Sequence, residues 1–500
     1  IDRSRGLGDV YKRQARGRGV GRGRAGAGRE TNADGEPEAA AAPAPDLSFL
    51  DETCLLTELL LPLPTFREVP RAAQLPLAEL TGSLCSAAAS AAADSPEAEQ
   101  AWKLLLLHHR LLLWAPAATR AAGRARRRAQ QELVLDRLGR AVRGDWEGLL
   151  EEAQAEATAA RTRRAGAAAS TGLAGKALAG EVIRRVSLGD LGRAAQLLGQ
   201  AKVAAPSPEV RDELQSLLVT LAAERGLLPT DHSSDEEVPA RDLATALRKA
   251  PRSSGAGPSG SRFTHWQACQ LSASSMAALG QVVNRVAAGR VPTEAAAALA
   301  LTCLTPLRKK NGRLRPVAAG EALRRLTGKG LARAQAKLLA EAVGPRQFGV
   351  GTPGGTEALS HAAQVEAGRR PQAAFVALDL RNAFGSLDRD AVLAAVQEHA
   401  PGLLPYARLF LGRRSAYRYL SSNGAGELLY ADQGVDQGDP LAPAFLAVTI
   451  REPLERLEAR LRDLAEADGF SPEAAADAVR VRAYLDDVLV RVPDSLAARV

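Results

Sequence analysis

Residues 479–492 read VRVRAYLDDVLVRV, with apolar and polar residues alternating on both sides of Asp486-Asp487. A period of two sends successive side chains to opposite faces of an extended chain, so the stretch reads as a β-hairpin with two adjacent carboxylates at its tip. Adjacent aspartates repel, and a divalent cation would relieve the repulsion; turn chemistry alone also favours Asp at such tips. Upstream, residues 433–445 read QGVDQGDPLAPAF, where Gly434, Gly438 and Pro440 mark a loop of close backbone approach ahead of a helix. Residues 375–384 read FVALDLRNAF, a buried-type strand that ends on Asp379 before the polar Arg381-Asn382. Residues 306–317 read PLRKKNGRLRPV, and Asn311-Gly312 predicts a two-residue hairpin turn because both residues tolerate positive φ. The tip so formed carries Arg308, Lys309, Lys310, Arg313 and Arg315. Five cations that repel one another are easier to justify if a polyanion such as a triphosphate visits.

The remainder of the 500 residues sets the context. With 46% apolar residues the chain is able to build two or three domains, which excludes a purely disordered protein. Cys54, Cys85, Cys269 and Cys303 lie far apart in sequence and give neither a disulfide framework nor a C-x-x-C metal pair, so a reducing intracellular setting is expected. The net charge of +8 is a mild basic excess that points toward polyanions. The apolar run Leu104–Trp114 is interrupted by His108, His109 and Arg110, far short of the roughly 20 residues of a spanning helix. No membrane partner is expected.

Composition divides the chain into segments. Residues 1–14 (IDRSRGLGDVYKRQ) resemble translated adaptor sequence, and 15–46 form an Arg/Gly- and Ala/Pro-rich tail expected to be disordered. Residues 47–230 carry helical periodicity, including Leu191–Val203 and a helix opened by Ser207-Pro208. Residues 231–262 are acidic and then Gly/Ser/Pro-rich, which predicts a linker. From 263 to 500 strands alternate with helices. Two nucleotide-loop look-alikes fail. Gly172–Ala177 lacks the first glycine and the closing Ser/Thr, and Gly349–Gly354 has no clear preceding strand and contains Pro353.

Taken in order, the four motifs resemble the reverse transcriptase family, in particular the polymerases of non-LTR (LINE-like) retrotransposons. The basic hairpin resembles the nucleotide-clamping motif, LDLRNAF the first palm motif, QGDPLAP the Gln-Gly motif and YLDD the Tyr-x-Asp-Asp signature. Arg346-Gln347-Phe348-Gly349 resembles the QFG element, and AGPSG at 256–260 an APGPDG-type motif with Ser259 in place of the usual Asp. The resemblance implies an α+β right-hand fold of fingers and palm, preceded by an α-helical N-terminal region. It implies RNA-templated DNA synthesis by phosphoryl transfer, with an RNA template, a DNA or RNA primer and dNTPs as partners. Asp379, Asp486 and Asp487 would be catalytic and hold two Mg²⁺ ions, with Mn²⁺ as a substitute. Lys309 or Lys310 with Arg315, the peptide N–H groups of Leu380 and Arg381, and Gln437 would hold the nucleotide; Phe384 would exclude a ribose 2′-hydroxyl. Gln347, Gly438 and Tyr484 would meet template and primer, Gly438 near the template base and Tyr484 against the primer end. The family also implies a nuclear location and a retrotransposon polyprotein.

Ile1 at the start, Met276 as the single methionine and Val500 only 13 residues past Asp487 lead us to expect a sequence truncated at both ends, with the thumb absent. A degenerate or domesticated protein that binds RNA without polymerising is the competing reading, motivated by Ser259, the basic tail and the expected truncation.

Overall fold

The computed structural model describes residues 46–92, 95–116, 123–166, 175–187, 189, 194, 203–222, 236–309 and 311–500. Residues 1–14, nearly all of the expected tail, most of Leu191–Val203 and Lys310 lie outside the described residues.

The first half is helical where the periodicity predicts it, with long helices at Gln74–Ser90, Pro96–Leu113, Gly123–Val142 and Trp146–Gly166. Ser95 caps the second of these by accepting the Ala98 N–H at 3.1 Å, and Pro96 occupies the first turn, where a missing N–H costs nothing. Leu104–Leu107 and Leu111–Leu113 are all within 5% of full burial, each contributing roughly 2 kcal/mol. The polar residues that interrupt this run are buried too, and each finds a partner. Lys103 donates to the carbonyls of Leu50 and Thr53 and pairs with Glu294 at 2.9 Å, while Arg110 donates to the Leu61 carbonyl. Burial pushes the His108 imidazole down to about 4 against an opposing bond to the Leu105 carbonyl, so it stays neutral.

This helical region shares one core with the second half of the chain. Leu77, Trp102 and Leu138 belong to the same apolar cluster as Leu279, Leu323, Tyr406 and Phe445. Gly82 lets helix Gln74–Ser90 approach helix Ala273–Ala287 closely, since a Cβ there would stand 2.6 Å from Ser275 Oγ. Where composition suggests a linker, residues 236–262 contain helix Ala240–Lys249, with Leu243 and Leu247 fully buried. Its apolar face follows a 3.6-residue period that the acidic and Gly/Ser/Pro-rich flanks mask.

Two sheets organise the second half. β1 (Thr302–Arg308), β2 (Leu314–Gly320), β4 (Ser415–Leu420) and β5 (Gly426–Ala431) form one in the order β2-β1-β4-β5. β1 and β4 run parallel, and the other neighbours are antiparallel. Helix Pro208–Leu217, capped by Ser207 as its sequence predicts, packs Val210 and Leu214 onto this sheet against Leu304, Leu314 and Tyr417. β3 (Ala373–Asp379), β6 (Arg480–Tyr484) and β7 (Asp487–Pro493) form the other sheet, all antiparallel, in the order β3-β7-β6. Val481, Ala483, Val488, Val490 and Val492 line its buried face against helix Arg451–Ala467. The α+β architecture expected from the sequence is what the chain adopts.

Both hairpin turns differ from the expected form. In the basic hairpin, Lys309 N–H donates to the Arg313 carbonyl and Gly312 N–H to the Lys309 carbonyl. The pairing therefore ends at Arg308–Leu314, and of Asn311-Gly312 only Gly312 takes a positive φ, 82°, while Asn311 uses its side chain to accept the Arg313 N–H. In the YLDD hairpin, Tyr484 pairs with Asp487, so the turn residues are Leu485-Asp486 and Asp487 is already the first residue of β7.

Candidate active site

Two carboxylates are set opposite each other on the β3-β7-β6 sheet. The register sets Asp379, the last residue of β3, directly opposite Asp487, the first of β7, so both side chains lie on one face. Asp486 precedes Asp487 in the turn. Asp379 and Asp487 are exposed and Asp486 is half-buried. None of the three has a hydrogen-bonding or ion-pairing side-chain partner among the described residues.

Like charges directly opposite each other across a strand pair destabilise it. The donor set suits a hard cation, being made of carboxylate oxygens that solvent reaches and the protein leaves uncompensated. Among the described residues no group of three or more His, Cys, Asp or Glu is gathered into a metal cluster, so the arrangement is an open pair with a third carboxylate beside it.

The other residues singled out from the sequence fall into distinct places. Leu380 and Arg381 are exposed where β3 ends, and Asn382 follows at a φ of 51° to start the short helix Ala383–Ser386. Phe384 is half-buried and touches both large apolar clusters, and its carbonyl accepts the Val435 N–H at 2.7 Å. That bond ties LDLRNAF to the QGVDQGD loop. Gln437 is exposed and lines a narrow cleft with Pro316, Ala318, Asn382 and Gly385. Lys309 and Arg315 are exposed on the basic hairpin and make no hydrogen bond or ion pair with the aspartates. Arg315 lies on the face of β2 opposite to the buried Leu314 and Ala318. Tyr484 is half-buried in register with Asp487.

Two more of these residues lie against other parts of the chain. Gln347, expected to meet template or primer, is 3% exposed, and its side chain is committed inside the protein. Gly438, expected beside a template base, lies against β2: a Cβ on it would stand 1.9 Å from the Ala318 carbonyl oxygen.

Residues 307–496 match the family described as Reverse transcriptase (RNA-dependent DNA polymerase). Over these residues the chain is similar to reverse transcriptase domains. Over 217 residues it is also 28% identical to the Retrotransposable element SLACS 132 kDa protein of Trypanosoma brucei gambiense, a match that covers 43% of this chain and 17% of that protein. No helix among the described residues is long and apolar enough to cross a membrane.

Sequence reasoning missed the frame that holds the Gln437 loop within the matched region. Arg324 Nη2 lies 3.1 Å from Asp436 and 2.9 Å from Asp439, the two carboxylates flanking Gln437-Gly438. Tyr417 donates to Asp436 at 2.6 Å and Tyr406 to Asp439 at 3.3 Å. Burial pulls the Arg324 pKa down, but Asp439 and Asp436 together outweigh it and hold the guanidinium charged. Arg389, 1% exposed, donates to the Gly434 carbonyl, the Arg413 carbonyl and Ser415 Oγ, fixing the loop's other end. The available signal was the aspartate on either side of Gln437-Gly438, which demands a cation somewhere.

The Ser259 departure also acquires a reason. Ser259 Oγ donates to Glu321 Oε1 at 2.9 Å and its N–H to Oε2 at 3.1 Å. Glu321 is buried, which pushes its carboxyl above the usual range against the lowering effect of those bonds. An aspartate at 259 would face this carboxylate without a donor to offer.

Proposed function

We propose that the protein synthesises DNA on an RNA template, adding dNTPs to a primer 3′-hydroxyl as part of a retrotransposon polyprotein that works in the nucleus. The observation that carries this reading is the opposition of Asp379 and Asp487, with Asp486 next to Asp487 in the chain, three carboxylates that have no ion-pair partner among the described residues. In phosphoryl transfer the protein contributes positioning and charge rather than covalent chemistry, and an open carboxylate pair on a rigid sheet provides both. Asp379, Asp486 and Asp487 would hold two Mg²⁺ ions, or Mn²⁺ in their place. When bound, these ions would supply the charge that activates the primer hydroxyl and steadies the leaving pyrophosphate.

The chain's own residues supply the rest of the site. Lys309 and Arg315, with Lys310, present cations to the triphosphate. The exposed peptides at Leu380 and Arg381, just past the end of β3, would meet the phosphate oxygens. Phe384 is anchored from both sides and therefore stiff enough to exclude a 2′-hydroxyl, with Gln437 on the loop that Phe384 helps to tie down. Tyr484, in register with Asp487, would pack against the primer end. Support comes from the family match over residues 307–496 and from the register of β3 on β7.

Primer extension by the full-length protein on an RNA template with Mg²⁺ tests the reading: Asp486→Asn is expected to abolish it, and extension that survives the change sinks the assignment. For the gate, Phe384→Ala is expected to let ribonucleotides in. Unchanged discrimination between dNTP and NTP would remove Phe384 from that role.

A further inference from the structure

We propose that Gln347 is a positioning residue for Asp486: its side-chain amide holds the turn that carries this carboxylate in a backbone conformation the turn's own sequence disfavours. The proposal deepens the polymerase reading and rests on it for its catalytic consequence. Leu485 has a φ of 55°, in the left-handed region where an L side chain crowds the backbone. Such a residue persists only where its surroundings over-determine it.

The surroundings here are specific. Gln347 Oε1 accepts the Leu485 N–H at 2.7 Å and the Gly349 N–H at 2.9 Å, so one carbonyl oxygen ties the turn to the QFG loop. The loop in turn is tied to β6, with Phe348 N–H on the Ala483 carbonyl and Ala483 N–H on the Arg346 carbonyl, both at 2.8 Å. Arg346 pairs with Glu455 and Glu458, which roots the loop in helix Arg451–Ala467. Gly349 completes the seat: a Cβ there would stand 2.7 Å from Leu485 Cγ and 2.9 Å from Leu485 N. A neutral amide is also the right group beside three bare carboxylates, since it accepts two N–H bonds without adding negative charge.

The test uses the full-length protein with two readouts, amide hydrogen exchange of the YLDD hairpin and single-nucleotide extension. Gln347→Met keeps the side-chain length and removes the acceptor. It is expected to lose protection at Leu485–Asp487 while the rest of the domain stays protected, and to lower kcat by about 10- to 100-fold with little change in the KM for dNTP. Adding Leu485→Gly, which accepts positive φ without strain, is expected to restore part of kcat. Unchanged exchange and kcat in Gln347→Met overturn the proposal. So does a loss of protection spread over the whole domain that Leu485→Gly does not repair, since that marks a general structural role. If the unsubstituted protein extends no primer, the polymerase reading fails, and hydrogen exchange alone still decides whether Gln347 holds the turn.

Discussion

Two pairs of aspartates in this molecule receive opposite treatment. Asp436 and Asp439 flank the Gln437 loop with side chains only 8% and 6% exposed, and Arg324 lies between them with two tyrosine hydroxyls in attendance. Asp379 and Asp487 face each other across β3 and β7, exposed, with no ion-pair partner among the described residues. Burying a charge is tolerable only when it is paired, so the first pair has the signature of a structural device. Leaving like charges opposed and unpaired costs stability and is explained by a ligand that brings the missing charge. The same residue type thus serves shape in one place and, in the proposed function, chemistry in the other.

The comparison breaks if substitutions at the two pairs act alike. Asp379→Asn is expected to lower RNA-templated extension by on the order of 10³-fold or more while leaving the thermal midpoint unchanged or slightly raised. Extension assays and a melting curve on the same preparation check both halves. Arg324→Met should do the reverse. Removing the cation strands two buried carboxylates, and a loss of about 3–5 kcal/mol in a denaturant titration is expected, with activity failing only as the fold fails.

A third substitution probes how the structural pair reaches the site. Gly438 follows Gln437 and lies against the Ala318 carbonyl, so Gly438→Ala forces the loop away from β2. We expect a cost of about 1–3 kcal/mol and a raised KM for dNTP, because Gln437 moves with the loop. A raised KM without loss of stability would mean that the loop, rather than Arg324, sets the position of Gln437.

Much of the site was legible in the sequence, and the reasons are local. Alternation in VRVRAYLDDVLVRV and the apolar run of FVALD are backbone patterns, so β3, β6 and β7 were readable as strands. The direct opposition of Asp379 and Asp487 was not, because cross-strand register between segments about a hundred residues apart is a tertiary fact. The turn at Leu485-Asp486 was misplaced by one residue for a related reason: no local preference puts leucine at positive φ, and only the distant Gln347 explains it. Arg324 was invisible since nothing in LRRLTGKG tells which of two adjacent buried arginines meets the aspartates; Arg325 bonds Ser254 and the Gly255 carbonyl instead. The linker reading of 231–262 weighed composition over the periodicity of Leu243, Ala246 and Leu247, whose burial depends on helices far away in sequence.

The smallest effect we expect is also the sharpest test of the contrast. If the opposed carboxylates are a cost borne for function, Asp487→Asn removes one charge from the pair and should stabilise the domain, by under about 1 kcal/mol. The gain should shrink as salt rises, because both groups are exposed and the Debye length falls to about 3 Å at 1 M. It should also shrink or reverse when Mg²⁺ is added, since the unsubstituted pair then gains the cation that the variant binds less well. Melting curves of both proteins in low salt, high salt and Mg²⁺ read all three terms. A variant that is less stable than the parent in low salt would show that Asp487 holds the hairpin together, and the division between a pair for shape and a pair for chemistry would have to be redrawn.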